Sequence, residues 1–427
     1  MRSLTSKLHS CSIRKIGAMI CTACLASPGA IIHAQQPDVF KDTILVANRA
    51  EFKPTAFVDT HLINPWGIAL RPPGAGGHIW ISNGGDLSTT TYIGDAKSVP
   101  LYQDGLKLVP IEGTATSVEG FAIVTGQVYN AASDTPGQPV EFPVSGPAHN
   151  LSGEKPVSIG TISGSAKFVF VNTDGGINAW RASTKESMDK AVVMKDFSAS
   201  GPDLDLKLPD LPAFTGVAMT TDACTTNDAG EKVADNRLYA ADFQNKMIHV
   251  FDNQWRNITS SFPFERPKDM PDEYSPFNIQ WIEGRLYIAY AALDQQAEEP
   301  GTDVPDVGAG HIVAYDRNGR ILQEFKDLNV LNSPWGLAIA PKGFGSLEGC
   351  LLVANFGDGT IAALDVASGK FKGYLRDAES KIIAIDGIWG LTFGNGVSLG
   401  DALSLYYTAG PNTEQDGIFG RLTFVPY

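Results

Sequence analysis

The tightest constraint on this chain is a short motif that keeps returning along it. Asn64-Pro65-Trp66-Gly67-Ile68-Ala69 recurs as Ser333-Pro334-Trp335-Gly336-Leu337-Ala338 and as Gly387-Ile388-Trp389-Gly390-Leu391-Thr392. Weaker copies lie at 123–128, 213–218 and 275–280. Aligning Gly67, Gly126, Gly216, Asn278, Gly336 and Gly390 gives steps of 59, 90, 62, 58 and 54 residues, the long step carrying an inserted loop. Self-similarity of this kind means one structural unit repeated, each copy burying its apolar face against the next.

Each copy is followed by a β-rich run ending in a turn, at 78–82, 167–172, 237–241, 285–290, 350–354 and 404–408. A third strand then closes in a polar or Gly-containing hairpin, as in Tyr315-Asp316-Arg317-Asn318-Gly319-Arg320. Three or four short strands per unit, with no amphipathic helix, predict an all-β fold, a six-bladed β-propeller. The small residue in each first strand fits, because inner strands crowd around an axis and bulk would hold them apart. Trp66, Trp335 and Trp389 are expected to pack between neighbouring blades. The last unit ends with its third strand, 418–424, which would leave an open sheet edge. Thr43–Ala47 has no unit of its own and is predicted to supply the outer strand of blade six, closing the ring.

Residues 1–34 read as a signal peptide. Arg2, Lys7, Arg14 and Lys15 precede an uncharged run from Ile16 to Ile32, and Ala34 offers a small residue for cleavage. Ser27, Pro28 and Gly29 make the run a poor membrane span. Cys21 and Cys24 raise a lipid anchor, but neither follows a Leu-x-small pattern, so release is expected. The prediction is a secreted or periplasmic protein, a single domain over 35–427, monomeric and without a transmembrane segment once mature. Loss of the leader leaves 29 basic residues against 47 acidic, a charge of about −18. Such a surface repels phosphate backbones, so no nucleic-acid partner is expected; cations and neutral ligands fit better. Cys224 and Cys350 fall two units apart, and both a bridge and two separate thiols stay open.

The opening segment Ile44-Leu45-Val46-Ala47, the run Thr60 to Gly67 and the Trp-Gly repeats resemble a family of uncharacterised secreted bacterial propellers marked by Asn-Pro-Trp-Gly. More distantly the blades resemble NHL-repeat and SMP-30/gluconolactonase-type propellers. The first resemblance implies the fold and no activity.

In a propeller, loops entering the inner strands and loops leaving the second strands share one face. Asn64, Asn332 and Asp386 precede inner strands; Asn83, Asp86, Asp174, Asp242, Asn355, Asp358 and Asn412 follow second strands. Asn and Asp from several blades at one mouth suit a divalent cation, Ca²⁺ first, which takes six to eight oxygen ligands. The same residues also cap turns without any metal. The SMP-30 resemblance implies a Glu, Asn residues and an Asp as metal ligands, roles that Glu119, Asn278, Asn332 and Asp386 could fill, with Asp386 as general base. Asp294 to Gly310 carries five carboxylates on this face, as a lid, a second cation site or a solvated loop. No HExxH, CxxCH or phosphate-cradling loop is present, and Gly396-Val397-Ser398-Leu399-Gly400 reads as a turn. Two functions remain: a non-catalytic module binding a ligand or an extracytoplasmic protein at the channel face, and a metal-dependent, lactonase-like hydrolase.

Overall fold

The computed structural model describes residues 38–426 except 73, 75, 118–121, 132–138, 151–156, 206, 222–223, 227–229, 231 and 327–328. The signal-peptide reading therefore lies outside the described residues. Among them, helix is confined to short 3-10 turns such as Ala50–Phe52, and no helix is long and apolar enough to cross a membrane.

The strands form successive antiparallel sheets. The first holds Pro65–Ala69, Ile79–Asn83, Ser88–Tyr92 and Leu108–Pro110. The second holds Val124–Tyr129, Phe168–Asn172, Gly176–Trp180 and Val192–Asp196. In the third, Phe214–Met219, Arg237–Asp242 and Met247–Asp252 pair. The fourth is Tyr274–Ile282, Arg285–Ala292, His311–Tyr315 and Ile321–Phe325; the fifth is Pro334–Ile339, Cys350–Asn355, Ile361–Asp365 and Phe371–Tyr374. The sixth joins Ile388–Phe393, Ser404–Ala409 and Ile418–Val425 to the leading strand Val39–Ala47. That last pairing is antiparallel, from Val39 opposite Val425 to Ala47 opposite Ile418, with one bulge. Two small sheets are added: Pro143–Asn150 with Ser158–Ser165 and Glu186–Met188, and Cys224–Thr226 with Lys232–Ala234.

The first strand of each of the six sheets carries the repeat, and the small residue in it explains how the sheets stack about an axis. A Cβ on Gly67 would lie 2.8 Å from the Thr125 carbonyl oxygen, one on Gly126 2.8 Å from the Val217 nitrogen, and one on Gly216 2.8 Å from the Asn278 Cα. Real Cβ atoms do not approach so closely, so only glycine lets these backbones meet. Asn278 stands in the fourth copy and donates its amide to the Trp335 carbonyl at 2.8 Å instead. Cβ atoms on Gly336 and Gly390 would meet the carbonyl oxygens of Trp389 at 2.2 Å and Trp66 at 2.5 Å. The inner strands thus touch one another in chain order, the β-propeller arrangement. Between sheets the core is aliphatic and aromatic, for example Trp80, Phe168, Phe170 and Trp180 between the first and second.

Cys224 is exposed and Cys350 buried, and both are free thiols.

Candidate functional site

The residue before each of those small positions decides what fills the axis. Trp66, Phe277, Trp335 and Trp389 form one buried aromatic cluster with Phe243 and Leu293. The expectation that these tryptophans pack between neighbouring blades is corrected here: they pack on each other, across the axis. Trp66 stacks on Trp389 with ring centroids 3.4 Å apart, and Phe356 covers the other face of Trp389 at 3.8 Å. Trp335 meets both Trp66 and Trp389 edge-on, at 5.7 and 5.9 Å. Adjacent inner strands are held too close by their glycines to leave room between them, so the large rings at the preceding positions turn toward the centre. The axis is plugged.

Above the plug lies the mouth where inner strands begin. Asn64 and Ser333 both take left-handed backbone, each at φ +44, immediately before a proline. Asn64 ties plug to mouth: its Oδ1 accepts from Trp389 Nε1 at 3.1 Å, and its Nδ2 donates to Glu414 Oε2 at 2.6 Å. The acidic insertion 294–310 folds over this mouth. Gly301 donates to Gln244 Oε1 at 3.0 Å, and a Cβ on it would lie 3.2 Å from that of Ala213. Asp303 bridges back to Leu293 and faces Ser333, while Pro305 lies beside Asn332 and Gly357. Glu298 and Glu299 line a cavity of about 210 Å³ with Ser117, Thr173 and Asp174.

Three carboxyls here are pushed above the usual carboxylate range. Burial raises Glu414, with the Asp303 and Glu299 charges adding to it; burial also raises Asp303 and Asp174. Beneath the roof three buried polar atoms have no hydrogen-bond partner among the described residues, Thr215 Oγ1, Asn332 Oδ1 and Trp66 Nε1, while the Ser333 hydroxyl and the Asp303 carboxyl face one another. Buried polar groups are nearly always paired, with protein or with something bound. Three such atoms lie close to the raised carboxyls of Asp303 and Glu414.

The residues singled out from sequence are placed as follows. Glu119 lies outside the described residues. Asn278 is buried within its strand, with Oδ1 accepting from the Ile279 amide at 2.8 Å and Nδ2 spent on Trp335. Asn332 is buried at the mouth, its Nδ2 reaching toward Asp358 at 3.5 Å. Asp386 is exposed and accepts from the Asn412 amide at 3.0 Å. No hydrogen bond joins any two of Asn278, Asn332 and Asp386, and among the described residues no three His, Cys, Asp or Glu side chains are grouped to hold a metal ion. Several other polar strand-end residues cap turns: Asp242 accepts from Ala213 N, Asn245 N and Asn245 Nδ2, and Asn355 Nδ2 donates to Val330 and Thr360. Glu414 and Thr215 were not apparent from sequence, because nothing local marks them; only the fold brings them under one roof.

The other end of the axis is an open funnel of about 570 Å³, lined by the ends of all six inner strands, including Leu70, Tyr129, Met219, Ile282, Ile339 and Phe393.

No known family profile matches this chain. Over 386 residues it is 28% identical to an uncharacterised protein of Acanthamoeba polyphaga mimivirus, covering 90% of this chain and 80% of that one. A second uncharacterised protein of the same virus is 34% identical over 193 residues, 44% of this chain and half of its own length. Among solved structures the fold is similar to the GH93 α-L-arabinofuranosidase of Fusarium graminearum, at TM-score 0.44 and 10% identity over 90% of this chain and 98% of that one. It is also similar to the soluble aldose sugar dehydrogenase of Escherichia coli, at TM-score 0.42 and 12% identity over 90% and 99%. Likenesses this slight carry nothing about substrate or cofactor.

Proposed function

We propose that this chain is an exported, six-bladed β-propeller, closed by its leading strand, that acts as a binding module and takes a cationic ligand at the roofed mouth of its axis. The succession of inner-strand contacts from Gly67 through Gly126, Gly216, Asn278 and Gly336 to Gly390, which returns to Trp66, supports six blades in a ring. The pairing of Val39–Ala47 with Ile418–Val425 supports the closure. Export to the periplasm or beyond, a monomeric state and kinship with secreted bacterial propellers belong to the same proposal and rest on the sequence.

The observation that carries the binding reading is the cluster of buried oxygens and raised carboxyls under the acidic insertion. Thr215 Oγ1 and Asn332 Oδ1 are buried without a hydrogen-bond partner among the described residues, the Ser333 hydroxyl faces the Asp303 carboxyl, and the carboxyls of Asp303 and Glu414 are both raised, beside the aromatic plug. Clustered carboxylates that resist ionisation gain most when a cation joins them. Hydrolysis is the weaker reading, because Asn278 is bound into the strand and Asp386 stands exposed on a turn.

Ca²⁺ is the first probe, since the lining offers oxygen donors. A ligand bound only to the folded state must raise its apparent stability. The mature protein should melt higher in Ca²⁺ than in EDTA, and Glu414→Gln with Asp303→Asn should remove the difference. Identical melting with Ca²⁺, Mg²⁺, Mn²⁺ and small organic ammonium ions would overturn the proposal.

A further inference from the structure

The acidic insertion has two parts that the rest of the molecule holds very differently. Its legs are sewn to the body by backbone: Val304 N donates to the Ala292 carbonyl at 2.9 Å, Gly308 N to that of Leu331 at 2.8 Å, and Ser333 N to that of Ala309 at 3.2 Å. Its tip, residues 295–301, is not. Among the described residues one hydrogen bond joins the tip to anything outside the insertion, from Gly301 N to Gln244 Oε1 at 3.0 Å. Glu298, Glu299 and Pro300 are exposed, and they form one wall of the cavity of about 210 Å³ whose other wall includes Ser117, Thr173, Asp174 and Leu211. A segment with so few ties belongs to the part of a structure that opens most readily.

What the tip is seated against repels it. The insertion carries Asp294, Glu298, Glu299, Asp303 and Asp306, and no Lys, Arg or His. Across the seam stand Glu414 and Asp174. Asp358 lies beside Asn332, Asp386 accepts from the Asn412 amide, and Glu273 and Asp306 flank Tyr274 at the base. Burial raises Glu414 and Asp303, and the Asp303 and Glu299 charges raise Glu414 further; burial and the Asp196 charge raise Asp174. No basic side chain offsets any of the three. The cations alongside are engaged, Arg49 on Asp416 at 2.7 Å and Lys246 on the Asp272 carbonyl at 2.8 Å. Seating the tip therefore brings Glu299 and Asp303 onto Glu414 with no counter-charge, and lifting it takes Glu299 away and lets water in.

The seated form holds protons more tightly than the lifted one, so acid favours seating and the advantage is lost as pH rises through the elevated carboxyl values. We infer that the tip of the acidic insertion is a charge-operated lid over the mouth, seated while the carboxyls beneath it are protonated and lifted when they ionise together. Where a cation joins those carboxylates the lid is seated at neutral pH as well; that consequence, unlike the lifting, rests on the cation-binding reading above.

Hydrogen exchange of the mature protein, followed by mass spectrometry and corrected for the intrinsic pH dependence of exchange, tests this. Peptides spanning 295–301 carry the Gly301 amide, which is protected while the tip is seated. Their protection should fall about fivefold or more between about pH 5 and about pH 8, the weak end of coupling between linked equilibria. Peptides from the core strand Cys350–Asn355 should not change. Glu299→Gln, an exposed change that leaves the fold intact, and Glu414→Gln should each shrink the fall. Equal protection at both pH values, the same fall in the core strand, or a fall undiminished in both variants would overturn the inference. Protection that falls with pH while Ca²⁺ raises neither it nor the melting temperature sustains the lid and removes the cation site. Stabilisation by Ca²⁺ with protection flat in pH does the reverse.

Discussion

Replacing Trp389 by alanine is the sharpest test of the axial plug. The ring is 1% exposed and sandwiched between Trp66 and Phe356 at centroid distances of 3.4 and 3.8 Å. Truncating a buried tryptophan in a tight site costs about 3–5 kcal/mol in lost burial and cavity formation. The Asn64 Oδ1 that accepts from Trp389 Nε1 would lose its donor, adding about 1–3 kcal/mol where water cannot reach it. The expected loss is therefore about 4–8 kcal/mol, a large share of the 5–15 kcal/mol that holds a typical domain. Trp389→Phe keeps a ring in the sandwich and gives up chiefly the hydrogen bond, so it should cost about 1–3 kcal/mol. Urea unfolding followed by tryptophan fluorescence and by far-UV circular dichroism reads both variants. If alanine costs no more than phenylalanine, the stacked rings do not close the axis and the reasoning fails.

Asp242 is fully buried and serves Ala213 N, Asn245 N, Asn245 Nδ2 and His249 Nε2, so Asp242→Ala should cost about 3–5 kcal/mol in urea unfolding; a loss under about 1 kcal/mol would show that water replaces it. The raised carboxyls of Glu414, Asp303 and Asp174 bind protons more tightly folded than unfolded. Their contribution to stability is thus present below the ordinary carboxylate range and lost as pH rises through their elevated folded values. Without added cation, the melting temperature of Glu414→Gln relative to the unaltered protein should climb as pH is raised from acid to neutral; a difference that does not change with pH would contradict the assignment.

Much of the frame was legible from the repeat because its cause is local. A glycine that must touch the next backbone, with a β-rich run after it, recurs wherever an inner strand must crowd its neighbour. Second strands read as 237–241 and 350–354 are found as Arg237–Asp242 and Cys350–Asn355. Thr43–Ala47 was recognisable as a strand lacking a unit, and it pairs with Ile418–Val425 as part of Val39–Ala47. The loop inserted in the 90-residue step, residues 131–164, was harder. Its Pro, Gly and Ser content hides the hairpin Pro143–Asn150 with Ser158–Ser165, whose third partner, Glu186–Met188, lies further along the chain. The site was harder still. Asn278 was expected among the metal ligands of the mouth, yet it occupies the position of the small residues, and the structure puts its side chain against the adjacent inner strand. Where the acidic insertion lands depends on packing against Ala213, Ser333 and Glu414, and no spacing in the sequence encodes that contact.

The partnership of Val39–Ala47 with Ile418–Val425 has a further consequence for how the molecule is presented. Val39 lies opposite Val425, so the chain enters and leaves this region side by side at one corner of the sixth sheet. Thr423 pairs with Ser404 and Leu405 with Phe393, which places that corner at the funnel end. A tether attached through either terminus would therefore hold the protein by its funnel side and leave the acidic roof pointing away, toward whatever arrives from solution.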